Sequence, residues 1–247
     1  MGEFFERVAY NTESEFTLLS LEHYITVVVC FLLIFGFYFL SPKLRDKKYE
    51  VVLRYLFALF MLFSQITIFK HSYDNGFKWY RYLPEATCGW AIIFGALSLM
   101  TKNRTLVVLT FFWGWGAIST LLFPNILEGP TRYYFYQFFL RHILIIVSSI
   151  YMFRVFDFKL KKKDFYTYII WTLPMALLFG LISYIVNNPS ESNMFYMLGP
   201  ATNTPVFGMI LEFNHLVYVI VWLSFCIFIG YIYGLPFYQR SSKKWNL

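Results

Sequence analysis

Long apolar runs separated by short polar clusters set the pattern of this chain. Runs near the ~20 residues needed to cross ~30 Å of hydrocarbon recur at 23–40, 51–69, 87–100, 106–123, 134–153, 165–186 and 206–233. Polar or Pro/Gly clusters stop them, among them Ser41-Pro42-Lys43, Pro84-Glu85, Lys102-Asn103-Arg104 and Asn188-Pro189-Ser190. The runs are continuous rather than alternating with period two, so helices are expected instead of barrel strands. The predicted fold class is all-α, a polytopic membrane protein with seven transmembrane helices in one bundle. Residues 1–22 form an N-terminal segment, 23–238 the membrane domain and 239–247 a basic tail. Helix contacts are expected at small residues, at Ala91, Gly95 and Ser98 in the third run and at Thr110, Gly114 and Ala117 in the fourth. Pro174 is expected to kink the sixth.

Composition agrees with a lipid solvent. Of 247 residues 58% are hydrophobic and only 14% charged, whereas a soluble domain carries about a quarter charged residues. Nine Pro, 13 Gly and three Cys exclude a disordered chain, a collagen-like repeat or a disulfide scaffold. The formal charge of +7 does not indicate nucleic acid, because the basic residues alternate by loop. Lys43, Arg45, Lys47, Lys48 and Arg54 follow the first run, Lys102 and Arg104 the third, and Arg154, Lys159 and Lys161–Lys163 the fifth; Arg240, Lys243 and Lys244 lie in the tail. The alternate connections hold only Arg7, Lys70, Lys78, Arg81 and Arg132, and the N-terminal segment is acidic. The positive-inside rule then places the N-terminus outside the cell membrane and the C-terminus in the cytoplasm. The acidic flank before the first run also argues against a cleavable signal peptide.

Ionisable groups at membrane depth are costly, so they mark candidate sites. On this topology His23, His71, His142, His215, Arg141, Glu212 and Cys88 all fall in the outer half. Cys30 and Cys226 sit mid-run and read as small buried hydrophobes. Cys88 follows Leu83-Pro84 and falls in the first turn of a helix, where free N–H groups favour a thiolate. His142, about 12 Å into the fifth run at 1.5 Å per residue, is the candidate base, or it bonds a neighbouring helix. Arg141 is expected to pair with Glu212 across the bundle, or to hold a lipid phosphate. Gln137 and Arg141 share one helix face, Glu212 and His215 another, and with Asn214 and His23 these residues are expected to line one polar cavity. No HxxxH or HExxH spacing occurs, so neither a metal nor another cofactor is expected.

The stretches Leu83-Pro84-x-x-x-Cys88-Gly89, Leu99-Met100-Thr101-Lys102-Asn103-Arg104, Phe112-Trp113-Gly114, Pro124 and Gln137-Phe138-Phe139-x-x-His142 resemble those of bacterial YwaF-like integral membrane proteins. Those proteins are similar in turn to the eukaryotic transmembrane protein 164 family. Ser20-x-x-His23 and Asn193-x-x-Tyr196-x-x-x-Pro200-Ala201-Thr202 extend the resemblance over most of the chain. It implies acyl transfer between phospholipid and lysophospholipid through a cysteine thioester with a partner histidine, positions that fall here on Cys88 and His142. Bacterial members commonly carry His two residues before the cysteine, where this chain has Ala86. A non-enzymatic carrier, with the same cavity and no covalent step, is the alternative reading.

Overall fold

The computed structural model describes residues 2–6, 14–74, 79, 83–84, 86–186, 193–200 and 205–238, with side chains at all of these except 2, 3, 67–74, 205 and 206. The basic tail, Glu85, Ala201, Thr202 and the His71 side chain lie outside the described residues. After a single turn at Gly2–Phe5 the main helices are α1 (Leu21–Leu40), α2 (Glu50–Asp74), α3 (Thr87–Thr101), α4 (Arg104–Leu122), α5 (Tyr133–Arg154), α6 (Lys162–Val186), α7 (Pro205–Phe213) and α8 (His215–Gly234). Among the described residues there is no strand.

Local chemistry fixes the boundaries. The Ser20 hydroxyl accepts the His23 N–H at 3.2 Å to open α1, and the Asn103 side chain accepts the Leu106 N–H at 3.2 Å to open α4. Lys102 takes a left-handed conformation (φ 55°) and returns its N–H to the Ser98 carbonyl, closing α3. This two-residue turn sets α3 and α4 side by side and antiparallel. The last apolar run departs from expectation, because Asn214 breaks it into α7 and α8. Its backbone is extended and its side chain caps the Val217 N–H at 3.1 Å, since an Asn so placed satisfies orphan donors better as a cap than within a helix. α6 runs through Pro174 as one helix.

Helix α5 is the centre of the bundle. Of its apolar stretch 72% is buried, against 17% for α1, 28% for α6 and 11% for α8, which present their apolar faces outward to lipid. α3 packs chiefly on α4 and α2, and α4 on α5. The small residues expected at these contacts, from Ala91, Gly95 and Ser98 to Thr110, Gly114 and Ala117, are all buried. They let backbones approach where apolar burial gives no drive between helices. Inside, Trp113 is enclosed and its indole N–H donates to the Thr172 hydroxyl at 3.0 Å.

Among the described residues five helical stretches, Leu21–Leu44, Arg104–Leu122, Tyr133–Arg154, Lys162–Val186 and His215–Phe237, are long and apolar enough to cross a bilayer. The protein is therefore a multi-pass membrane protein. α3, with 15 residues, is only about 22 Å long at 1.5 Å per residue.

The basic loops gather at one end. There Arg45 donates to the Arg154 carbonyl at 2.9 Å, and Arg104 pairs with Asp164 at 2.5 Å. Arg54 also reaches back to the Leu99 carbonyl. At the other end the N-terminal segment is stapled to the α4–α5 loop. The Glu15 and Phe16 N–H groups donate to the Leu127 carbonyl, and Arg132 clasps the Glu15 carboxylate, with Nε at 3.0 Å from both oxygens. Gly129 permits this close approach, since a Cβ there would meet the Glu15 carbonyl oxygen at 3.1 Å.

The Arg132 hydrogen bond, aided by the Gly129 N–H, holds the Glu15 carboxyl below the usual carboxylate range. The sign follows: the staple is fully formed above about pH 4 and is lost as pH falls through the lowered folded value. Amide exchange protection at Glu15 and Phe16 is expected to collapse on acidification. In Glu15→Gln it should be weak at every pH; protection of wild-type protein that ignores pH would refute this account.

Candidate functional site

Cys88 stands second in α3, in the first turn as expected, preceded by Leu83 and the buried Pro84. Trp90 fixes that entry by donating its indole N–H to the Pro84 carbonyl at 3.1 Å. The Thr87 and Thr120 hydroxyls and the Arg141 guanidinium lie in the neighbourhood of Sγ. Gly116 of α4 faces the thiol: a Cβ there would sit in ordinary contact with Sγ at 3.7 Å and with the Thr87 Oγ1 at 3.8 Å. Three helices thus meet around one sulfur.

Arg141 is held from the other side. Its Nη2 donates to the Gln65 Oε1 of α2 at 2.5 Å, while its Nε is enclosed without a partner. The expected pair with Glu212 does not form. Glu212 lies exposed on α7, and neutral Gln65 supplies the partner. Gln137 joins the same polar layer, its Nε2 donating to the Ser64 carbonyl at 3.1 Å.

His142 is buried one residue beyond Arg141 and is electrostatically coupled to it. Its Nδ1 lies 2.7 Å from the Phe138 carbonyl. A carbonyl only accepts, so Nδ1 carries the proton and the lone pair of the neutral ring is on Nε2, the nitrogen free to act as a base. No hydrogen bond joins the ring to Cys88 among the described residues; Arg141 is the group that both sense.

The other expected cavity residues go elsewhere. Asn214 is the cap of α8. His215 donates from Nε2 to the Met197 carbonyl at 2.8 Å and lines a shallow apolar groove of about 210 Å³ with Gly180, Leu181 and Tyr184. Among the described residues Asn214 and His215 make their side-chain hydrogen bonds with the Val217 N–H and the Met197 carbonyl, not with the Cys88 cluster. They grip the segment 193–199, whose Phe195 and Tyr196 carry positive φ. The Tyr218 hydroxyl donates to the Tyr196 carbonyl at 2.6 Å and the Trp222 indole to the Phe195 carbonyl at 3.0 Å. His23 is buried against Phe16, its Nδ1 accepting the Leu19 N–H at 3.2 Å and its Nε2 enclosed without a partner. The single cavity expected from the sequence is therefore two separate sites, with His23 at the top of α1. Among the described residues no three His, Cys, Asp or Glu side chains are grouped to hold a metal ion.

The TMEM164 family model matches residues 18–234, nearly the whole helical domain. The chain belongs to the TMEM164 family. The family match covers Cys88, Arg141 and His142 as well as the gripped segment at 193–199. A protein of Treponema pallidum (strain Nichols), described only as an uncharacterized protein, is 33% identical over 70 residues. That stretch is 28% of this TMEM164-family chain and 29% of the relative, so the chain matches under a third of the relative's length. No solved structure matches.

Gln65, Thr87 and Thr120 were not singled out by the sequence. Gln65 did carry a signal, as a polar side chain deep in the apolar run 51–69, but only ionisable residues were placed by depth. The two threonines have no signal of their own, because helix-lining threonines usually bond the preceding turn, as Thr120 does to the Gly116 carbonyl at 2.8 Å.

Proposed function

We propose that the protein is an integral membrane acyltransferase that moves a fatty-acyl chain between phospholipid and lysophospholipid through a thioester on Cys88. On this reading all seven runs cross the membrane, the basic loops face the cytoplasm of a bacterial cell, and Cys88 works in the outer half of the bilayer. The observation that supports it is the packing of α3 on both α4 and α5, with Gly116 of α4 beside the Cys88 Sγ and with α5 the helix that bears Arg141 and His142. Family membership supports the same assignment.

Chemically, Cys88 gives its proton to His142 Nε2 and the thiolate, steadied by Arg141, attacks the ester carbonyl of the donor lipid. The ester C–O bond breaks, the leaving glycerol oxygen takes the proton from His142, and the acyl chain stays on sulfur. An acceptor hydroxyl then yields its proton to His142 and attacks the thioester. The C–S bond breaks and the proton returns to Cys88. Free N–H groups in the first turn of α3 are available to the oxyanion at each stage.

The deciding measurement is the intact mass of purified protein incubated with phospholipid, before and after hydroxylamine. A labile fatty-acyl adduct on Cys88, absent from Cys88→Ser, is expected. No adduct under trapping conditions, with lipid binding retained by Cys88→Ser, would make the protein a carrier instead.

A further inference from the structure

The opposite end of the bundle holds a cluster that the proposed reaction does not use. Arg154 closes α5, thirteen residues beyond Arg141 and so ~20 Å further along the axis. Its guanidinium carbon lies over the Tyr38 ring, 4.5 Å from the centroid, and its Nε is enclosed without a hydrogen-bond partner. No carboxylate pairs with it among the described residues. Arg45, 46% exposed, is tied to the same place because its Nη2 donates to the Arg154 carbonyl at 2.9 Å. Asp157 lies 3.9 Å from Arg45 but is engaged at 2.6 Å by Lys159. Arg45 and Lys159 therefore share the Asp157 carboxylate at this end of the two helices, and Arg154 stands beside them with none.

We propose that this junction of α1 and α5 binds the phosphate of an anionic phospholipid, at a site distinct from the Cys88 pocket. Two guanidinium groups held in fixed orientation, one by a tyrosine face and one by a backbone carbonyl, match the paired oxygens of a phosphodiester. Basic pockets between helix ends are suited to acidic headgroups. The surface directly along α1 selects lipid over free phosphate, since Phe35, Phe39 and Leu40 are 55%, 70% and 57% exposed and offer acyl chains a continuous apolar flank. A bound lipid would tie the end of α1, the most weakly enclosed of the N-terminal helices, to the central helix α5.

The test is native mass spectrometry of the full chain in detergent, titrated separately with phosphatidylglycerol, phosphatidylcholine and inorganic phosphate. Phosphatidylglycerol should bind preferentially. Arg45→Gln and Arg154→Gln should each weaken it about fivefold, as expected for one juxtamembrane cation worth ~1 kcal/mol, while Lys162→Gln, an exposed lysine at the start of α6, should not. Arg154→Lys keeps the charge and loses the fork, so it should fall between wild type and Arg154→Gln. Thermal midpoints of the variants identify any loss that comes from misfolding, and Arg45→Gln then decides alone. Equal weakening by Lys162→Gln, equal binding of phosphatidylcholine, or displacement of the lipid by inorganic phosphate would each overturn the assignment. Adduct formation at Cys88 should be unchanged in these variants, so the proposal stands or falls separately from the acyl-transfer reading.

Discussion

Replacing His142 with alanine is expected to leave the protein trapped with an acyl chain on Cys88. Removal of a positioned general base costs about 10²–10⁴ in rate, and the loss should fall mainly on breakdown of the thioester. The acceptor hydroxyl has a pKa far above any working pH and cannot attack without giving up its proton. The thiol is less demanding, because it ionises more readily than an alcohol. Single-turnover experiments with labelled phospholipid, read by intact mass, should therefore show adduct building up in His142→Ala and not in wild type. Arg141→Gln should show the reverse defect, with slow appearance of adduct and ordinary breakdown. His142→Gln serves where the smaller side chain disturbs packing against Phe138, whose ring lies 4.6 Å from the imidazole. Wild-type turnover in both histidine variants would remove His142 from the mechanism.

The largest expected effect on stability lies at the basic end. Glu50 and Arg54 are 7% and 5% exposed and form an ion pair at 2.9 Å, and the Tyr151 hydroxyl donates to the same Glu50 oxygen at 2.7 Å. Arg54 also donates to the Leu99 carbonyl, so one guanidinium ties the start of α2 to the end of α3 while Tyr151 brings in α5. Breaking a buried pair from one side leaves an uncompensated charge and costs about 3–5 kcal/mol. Glu50→Gln should show this in denaturant or thermal unfolding in micelles. The double variant Glu50→Gln/Arg54→Leu should recover part of the loss, because the stranded cation is gone. If the two single losses simply add in the double variant, the pair is not coupled and the network account is wrong.

Much of this architecture can be read from hydrophobic patterning, and the exceptions have physical causes. Each of the first six apolar runs forms one helix whose ends lie within a few residues of the expected limits, because length and the polar clusters between runs leave the chain few alternatives. Cys88 fell in the first turn of α3 for the same reason. Depth along the membrane is readable in this way, but direction around a helix axis is not. Arg141 and Glu212 were assigned similar depths and so expected to meet, yet they lie on helices that face different neighbours. The break at Asn214 was missed because an apolar count does not register one amide that caps better than it continues a helix. Arg54 was counted as a topology charge, and its burial was invisible without the Glu50 carboxylate four residues earlier being read as its partner. Several resemblance motifs also proved to be structural: Ser20 caps α1, Lys102-Asn103 forms the turn between α3 and α4, and Asn193 accepts the Leu198 N–H at 2.9 Å.

The brevity of α3 has a consequence for the surrounding bilayer. On the proposed topology, in which α3 crosses, a helix of 15 residues falls about 8 Å short of a ~30 Å hydrocarbon layer, a shortfall that a dimple in the lipid or water descending to one end of the helix would meet. With its basic end anchored by Arg54 and the Lys102 turn, the deficit falls at the end that carries Cys88. On the acyl-transfer reading, proton exchange with bulk solvent and access for a lysolipid's hydroxyl would come from the same hydrophobic mismatch, without a gate having to open.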